Sequence, residues 1–300
     1  MSQVVFVLVP GLHLLDLAGP AQVFSTASDL GCAYRSVYVA EQPEVTTAQG
    51  LPVRADVEWP QPGTDDLVVV PGWRSPRLRP HPLHPDGARW LGAHHARGGT
   101  VASVCAGAAA LGQAGLLDGR RCTTHHDLQD ELALRYPRAT VVRDVLYVVD
   151  DRVVTSAGIA SGVDLALHLV ALRHGPSLAA RVARQMVVYA RRNGDEQQIS
   201  AMLRFRSHLD DVVHRVQDVI DARFTGPLPL AGLAAEVGVS ERTLTRSFTA
   251  ATGTTPLRYQ QLLRLESAER LVSHGATAEA AARAVGFTDA RMLRRLRARS

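Results

Sequence analysis

One cysteine stands where a nucleophile could stand. The stretch GGTVASVCAGAAALGQAGLLDG, residues 98–119, passes from a glycine pair through a β-branched segment to Cys105, then into an alanine-rich helical pattern. Within it, Ser103-Val104-Cys105-Ala106-Gly107 fits a sharp strand-to-helix turn that projects its central side chain. Small neighbours are needed there because strand and helix backbones crowd together. A helix N-terminus behind the sulfur favours a thiolate. The other cysteines are poorer candidates. Cys32 follows a glycine at the expected end of a helix, and Cys122, between Arg121 and Thr123, is expected to pack against a sheet. Three sparse cysteines give neither a disulfide framework nor metal-ligand spacing, which fits a reducing compartment. The histidines of HPLH (81–84), His94-His95 and His125-His126 lack an i, i+4 partner arrangement with a carboxylate on a helix, so neither metal nor cofactor is expected.

Chemistry at such a turn needs elements that hold it. The chain has 300 residues, 46% of them hydrophobic and 21% charged, which suits two soluble domains. No apolar run is long enough to cross a bilayer. The opening MSQVVFVLVPG has no basic region before its apolar run, so it reads as a first strand rather than a signal peptide, and a cytoplasmic setting is expected. Valine-rich runs at 4–10, 34–40, 66–71 and 100–104 read as buried strands, and LYVVD with RVVTS reads as a hairpin around Asp150-Asp151. Helices are expected near 15–29, 86–97, 106–116, 126–136, 161–174 and 176–191. Strand alternating with helix predicts an α/β domain, a doubly wound and mostly parallel sheet. The proline-rich loop 73–85 is long enough to rim a pocket or meet a second subunit.

The character changes at the polar stretch RRNGDEQQ, 191–198. The expected division is a first domain over 1–192, a linker over 193–206 and an all-α domain over 207–300. In the latter, Leu209, Val212, Val213, Val216, Val219 and Ile220 fall on one helix face. Charge is uneven as well. Residues 1–200 hold 18 arginines against 19 carboxylates, residues 201–300 hold 15 against 10, and lysine is absent throughout. A basic third composed of arginine suits phosphate or guanine contacts; a solvated basic face has the same composition.

An internal repeat separates those two readings. LAGLAAEVGVSERTLTRSF (230–248) aligns with TAEAAARAVGFTDARMLRRL (277–296) on Gly238 and Gly286. Ala234 then matches Ala282, Val237 matches Val285, Val239 matches Phe287 and Leu244 matches Met292. The alanines let two helices cross closely, and the glycines take a left-handed turn between them. Ser240 and Thr288 are the expected caps of the second helices. This is a helix-turn-helix pattern occurring twice. The helical stretch Pro256–His274 joins the two units; about 18 residues span roughly 27 Å. Such a spacer can hold two recognition helices in neighbouring major-groove turns, about 34 Å apart.

Both halves resemble known families. LAAEVGVSERTLTRSFTAATGTTPLRYQQLLRLESAERLV, with Phe248, Gly253, Pro256 and Tyr259 at specific positions, resembles AraC-type transcriptional regulators over about 206–300. The resemblance implies double-stranded DNA as partner, recognition helices near 240–250 and 289–298, and DNA-facing Ser240, Arg242, Thr243, Arg246, Arg291, Arg294 and Arg295. Relatives continue past RARS with a further helix, so the second helix-turn-helix is expected to be the less stable one. The segments VLVPGLHLLDLAGPAQVF (7–24), VASVCAGAAALGQAGLLDGRRCTTHH (101–126) and VVTSAGIASGVDLALHLV (153–170) resemble the ThiJ/PfpI superfamily, relatives of class I glutamine amidotransferases, which implies a flavodoxin-like sheet. The pairing of the two looks like the GlxA-type regulators, which implies a homodimer and a small-molecule effector. By motif match, Asp16 and His125 would approach Cys105, with Asp127 orienting His125. In related isonitrile-hydrating enzymes a threonine follows the cysteine; here it is Ala106. Four readings of Cys105 stand at this point: part of a sensing pocket, a small buried hydrophobe, a nucleophile of a hydratase or amidase, or a redox-sensitive thiol.

Overall fold

Valine-rich strands fold together because their β-branched side chains fill both faces of a sheet that helices then cover. The computed structural model describes residues 2–74, 77–78, 82–188, 192–198, 200–273 and 275–298, with backbone only for Ala201 and Met202. His81 and most of the centre of the proline-rich loop lie outside the described residues. The chain divides into two units, Met1–Gln198 and Ile199–Ser300.

The first unit runs β1 (Ser2–Val7), α1 (Leu14–Asp29), β2 (Tyr34–Val39), β3 (Glu44–Thr46), β4 (Pro52–Arg54), β5 (Leu67–Val70), α2 (Pro85–Ala96), β6 (Thr100–Val104), α3 (Ala108–Gln113), β7 (Arg121–Cys122), α4 (Gln129–Arg135), β8 (Thr140–Val141), β9 (Tyr147–Asp150), β10 (Val153–Ser156), α5 (Ser161–His174) and α6 (Pro176–Gln185). The main sheet has the order β2-β1-β5-β6-β10-β9, parallel except for the β9–β10 hairpin. Registers such as Val4↔Leu67, Val68↔Val101 and Val154↔Ala102 align the strands, so β1, β5, β6 and β10 end on one edge. The sheet is the predicted doubly wound one. Two features differ from the sequence reading. The pairs β3–β4 and β7–β8 are two or three residues long, too short for a periodic signal. The helix expected from 106 begins instead as a tight 3₁₀ turn, Cys105–Gly107, before α3.

The segment before the second unit is tied down. Leu146 N–H donates to the carbonyls of Gly194 and Glu196 at 2.8 and 3.0 Å, and Arg192 forms a fork to the buried Asp164 carboxylate. The division between units therefore falls after Gln198, inside the stretch read as a linker.

The second unit is helical throughout its described residues: α7 (Ala201–Arg204), α8 (Asp211–Arg223), α9 (Leu230–Glu236), α10 (Glu241–Thr252), α11 (Pro256–Ser273), α12 (Ala278–Ala284) and α13 (Ala290–Arg297). Two small cores flank α11. Val213, Val216, Ile220, Leu233, Ala234, Leu244, Phe248 and Tyr259 fill the first, and Leu265, Ala268, Ala281, Ala282, Val285, Phe287, Leu293 and Leu296 fill the second. Gly238 and Gly286 take the left-handed turns, with φ of 72° and 87°. Ser240 caps α10 as predicted, but α13 is capped by Asp289, not Thr288; the Asp289 carboxylate accepts from Arg291 and Met292 N–H. Both amides meet the same oxygen, Oδ1, at 2.8 and 3.1 Å, and a charged acceptor holds amides more strongly than a neutral hydroxyl. Leu209 leaves the predicted α8 face and is 97% exposed, because Asp210 caps the helix and the chain turns off before it. Among the described residues no helix is long and apolar enough to cross a membrane.

Candidate functional site

The common sheet edge is where open α/β sheets expose their loops, and Cys105 emerges there from the end of β6. Its φ of 55° is left-handed, the strained geometry the small-residue motif predicts. The residue is nonetheless buried, at 6% exposure. Two glycines explain how the chain fits around it. A Cβ at Gly72, after β5, would lie 2.6 Å from both the Cys105 Cβ and the Asp16 Oδ2. A Cβ at Gly158, after β10, would lie 2.3 Å from the Cys105 Cβ. Asp16, in the first turn of α1, is fully buried and shares this wall. Its Oδ1 accepts from Ile159 N–H at 2.7 Å, while Oδ2 has no hydrogen bond of regular geometry and faces the thiol and the Gly72 amide. Ile159 is itself left-handed at φ 45°, unusual for a β-branched residue. Two strained residues thus flank one buried carboxyl.

The electrostatics differ from the expected thiolate. Burial raises the Asp16 carboxyl to about 6, against the pull of the Ile159 and Gly72 amides and the thiol. Burial also pushes the Cys105 thiol up, and the neighbouring Asp16 charge pushes it further; the Ala106 N–H at the turn only partly opposes them. The helix N-terminus is outweighed because it offers partial charge where desolvation opposes a full one. Burial and the Asp16 charge thus both favour the protonated thiol over the thiolate at Cys105.

His125 stands one residue beyond Thr124, whose hydroxyl donates to the Cys105 carbonyl at 2.8 Å. Among the described residues no hydrogen bond joins His125 to Cys105. The His125 Nδ1 accepts instead from Asp127 N–H at 3.4 Å, and the Asp127 carboxylate lies closer to His126 (3.0 Å) than to His125 (3.6 Å). Burial and the charges of His126 and His13 lower the His125 pKa, with Asp127 opposing them. The ligand atoms of His125, His126 and Asp127 lie within 4.8 Å of one another, a grouping the helical-spacing argument did not reach because it forms in a 3₁₀ turn.

In the second unit the candidate contacts divide by exposure. Arg242 and Arg246 are exposed on α10 and line a shallow groove with Leu230, Glu241, Thr245, Thr249 and Ala250. Thr245 and Thr249 complete the i, i+3, i+4, i+7 stripe that starts at Arg242, and that spacing could have found them. Thr243 turns away: half-buried, its hydroxyl meets Ser240 Oγ at 2.9 Å, so both residues serve the helix start. On α13, Arg291, Arg294 and Arg295 are exposed. None of these five arginines has an ion pair among the described residues, whereas Arg206, Arg223, Arg283 and Arg297 do.

Comparison with known proteins agrees with both units. Residues 2–172 match the DJ-1/PfpI family, and residues 233–299 match a helix-turn-helix domain family. The chain is 30% identical over 271 residues to the HTH-type transcriptional regulator CdhR of Pseudomonas aeruginosa, covering 89% of this chain and 79% of that protein. It is 32% identical over 187 residues to an isonitrile hydratase of Pseudomonas putida, covering 61% of this chain and 77% of the enzyme. The crystal structure of an AraC family transcriptional regulator from Pseudomonas putida shares the fold, with a TM-score of 0.55 at 24% identity over 62% of this chain and 100% of that one. With the DJ-1/PfpI match spanning more than half of its residues and the helix-turn-helix match following it, the chain belongs to the DJ-1/PfpI family, in the form joined to an AraC-type helix-turn-helix domain.

Proposed function

We infer that this chain regulates transcription by binding double-stranded DNA through α10 and α13, and that its DJ-1/PfpI unit senses a small molecule without turning it over. The observation that carries the DNA-binding part is the duplicated helix-turn-helix with five exposed arginines on its two second helices, none in an ion pair among the described residues. The relation to CdhR over most of both chains supports the regulatory part. The homodimer and the cytoplasmic setting are proposed on the same relation.

Sensing is supported by a hydrogen-bond path. The Cys105 carbonyl accepts from Thr124 Oγ1, and the Thr124 carbonyl accepts from Gln198 Nε2 at 3.0 Å. Gln198 also reaches the Val145 carbonyl, and its amide donates to Asp144. It is the last residue of the first unit. A ligand that displaces the Cys105–Thr124 contact therefore acts one hydrogen bond away from the chain that leads to the DNA-binding unit.

Turnover is disfavoured by burial that favours the protonated thiol, by a histidine engaged elsewhere, and by Ala106 where a hydroxyl would be. The hydratase reading keeps one observation in its favour, the 32% identity to isonitrile hydratase. The two are separated by incubating the full chain with simple isonitriles and following hydration to the formamide. No product, with duplex affinity altered by a bound ligand, is expected. Turnover abolished by Cys105→Ser would establish the enzyme instead.

A further inference from the structure

Arg264 lies in the middle of α11, between the two helix-turn-helix cores, and among the described residues its guanidinium hydrogen-bonds to backbone carbonyls alone. Nε donates to Phe224 O at 2.6 Å, one terminal nitrogen donates to Gly286 O at 2.8 Å, and the other donates to Thr225 O at 3.2 Å and Gly226 O at 2.6 Å. Phe224, Thr225 and Gly226 follow the end of α8 and lead into α9, the first helix of the first helix-turn-helix; Gly286 is the turn glycine of the second. Among the described residues no ion pair involves Arg264. A fork of fixed planar donors is thus spent on the carbonyls of two turns, one leading into the first helix-turn-helix and one inside the second.

Other contacts converge on this point. Gln260, one turn earlier on α11, donates to Phe224 O and Gly226 O at 2.9 and 2.8 Å. The Phe224 side chain packs against both small cores. At Gly286 there is no room for a side chain: a Cβ would sit 1.9 Å from Thr225 O and 3.1 Å from Arg264 Cζ. The guanidinium also lies 5.8 Å from the Phe287 ring centroid. The two turns are therefore in backbone contact, with one arginine bridging them.

We propose that Arg264 is the positioning residue that fixes the separation and phase of recognition helices α10 and α13, so that the protein discriminates between DNA sites by the spacing of their two boxes. A helix linker alone holds distance but not the rotation of each unit about its end; the bridged turns hold both. One inserted base pair moves a box by about 3.4 Å and about a tenth of a turn, which a rigid pair cannot follow. The proposal rests on the DNA-binding reading, and one arm of its test does not use DNA.

In the first arm, spin labels are placed at the exposed Ala231 and Ala278 of the full chain as unnatural amino acids, and the distance distribution is measured without DNA. A narrow distribution is expected for the wild type, and a broader one for Arg264→Ala and Arg264→Lys. In the second arm, the wild-type chain selects a two-box duplex from a random library, and binding is measured on it and on versions respaced by one base pair. The wild type should lose about tenfold on respacing, the variants less than about threefold. Lysine keeps the charge but not the fork, so its failure to restore discrimination separates positioning from charge. Variants that keep both the narrow distribution and the wild-type spacing penalty would overturn the proposal. If Arg264→Ala does not fold, Arg264→Lys decides. If the wild type selects no duplex, the DNA-binding reading fails, and the label distances alone decide whether the bridge holds the units.

Discussion

The buried carboxyl of Asp16 makes a prediction about pH. Its folded-state pKa of about 6 lies above the ordinary 3.8, so the folded state holds its proton more tightly than the unfolded chain does. Asp16 therefore favours the fold at low pH, and that contribution is lost as pH rises from about 4 through about 6. Asp16→Asn keeps an acceptor for Ile159 N–H but removes the charge. It should raise stability at pH 7 by about 3 kcal/mol relative to wild type and remove this part of the pH dependence. Denaturant melts at pH 4.5 and pH 7 check it; an unchanged difference between the two pH values would contradict the burial argument. A stabilising substitution at a site of strained backbone is the usual sign of function held against stability. Alkylation tests the state of Cys105: iodoacetamide at pH 7 should modify it far more slowly than the half-buried Cys32, and a faster reaction at Cys105 would show a thiolate. The cysteine itself was legible from its small neighbours. Its protonation was not, because it depends on Gly72 after β5, Gly158 after β10 and Asp16 in the first turn of α1, which only the fold brings together.

At the scale of elements, the two left-handed glycines make unequal predictions. A Cβ at Gly238 meets nothing within 4 Å, so Gly238→Ala carries only backbone strain, about 1 kcal/mol. At Gly286 the same change also collides with Thr225 O, and a loss of several kcal/mol is expected. Thermal melts of the two variants should rank in that order, and equal losses would count against the bridged turns. The repeat was legible because alanine, glycine and apolar positions recur in one register, and the valine runs gave the main strands for a related reason. The 3₁₀ turns at Cys105 and His126, and the strands β7 and β8, were not legible. They are too short to carry a period, and tertiary contacts fix them. The Asp289 cap was missed because Thr288 occupies the position equivalent to Ser240 in the alignment, and the better acceptor sits one residue later.

For the whole molecule, the proposed interface, with five exposed arginines that have no ion pair among the described residues, would place the binding energy in phosphate and base contacts rather than in apolar area. Arg246→Ala and Arg294→Ala should each weaken a selected duplex by about tenfold while leaving the melting temperature within a degree or two, since neither side chain has an ion-pair partner among the described residues. Wild-type behaviour from both would remove α10 and α13 from the interface. Light scattering at micromolar concentration should give twice the chain mass, and a monomer would refute the proposed homodimer. The central claim, that an arginine-bearing double helix-turn-helix makes this chain a DNA-binding regulator, is tested most directly by the salt dependence of affinity for the selected duplex. If all five exposed arginines neutralise phosphates, log K should fall against log salt with a slope of about −4.5, and by about 0.9 less for each arginine removed. A flat dependence, or a slope unchanged in the quintuple alanine variant, would contradict it.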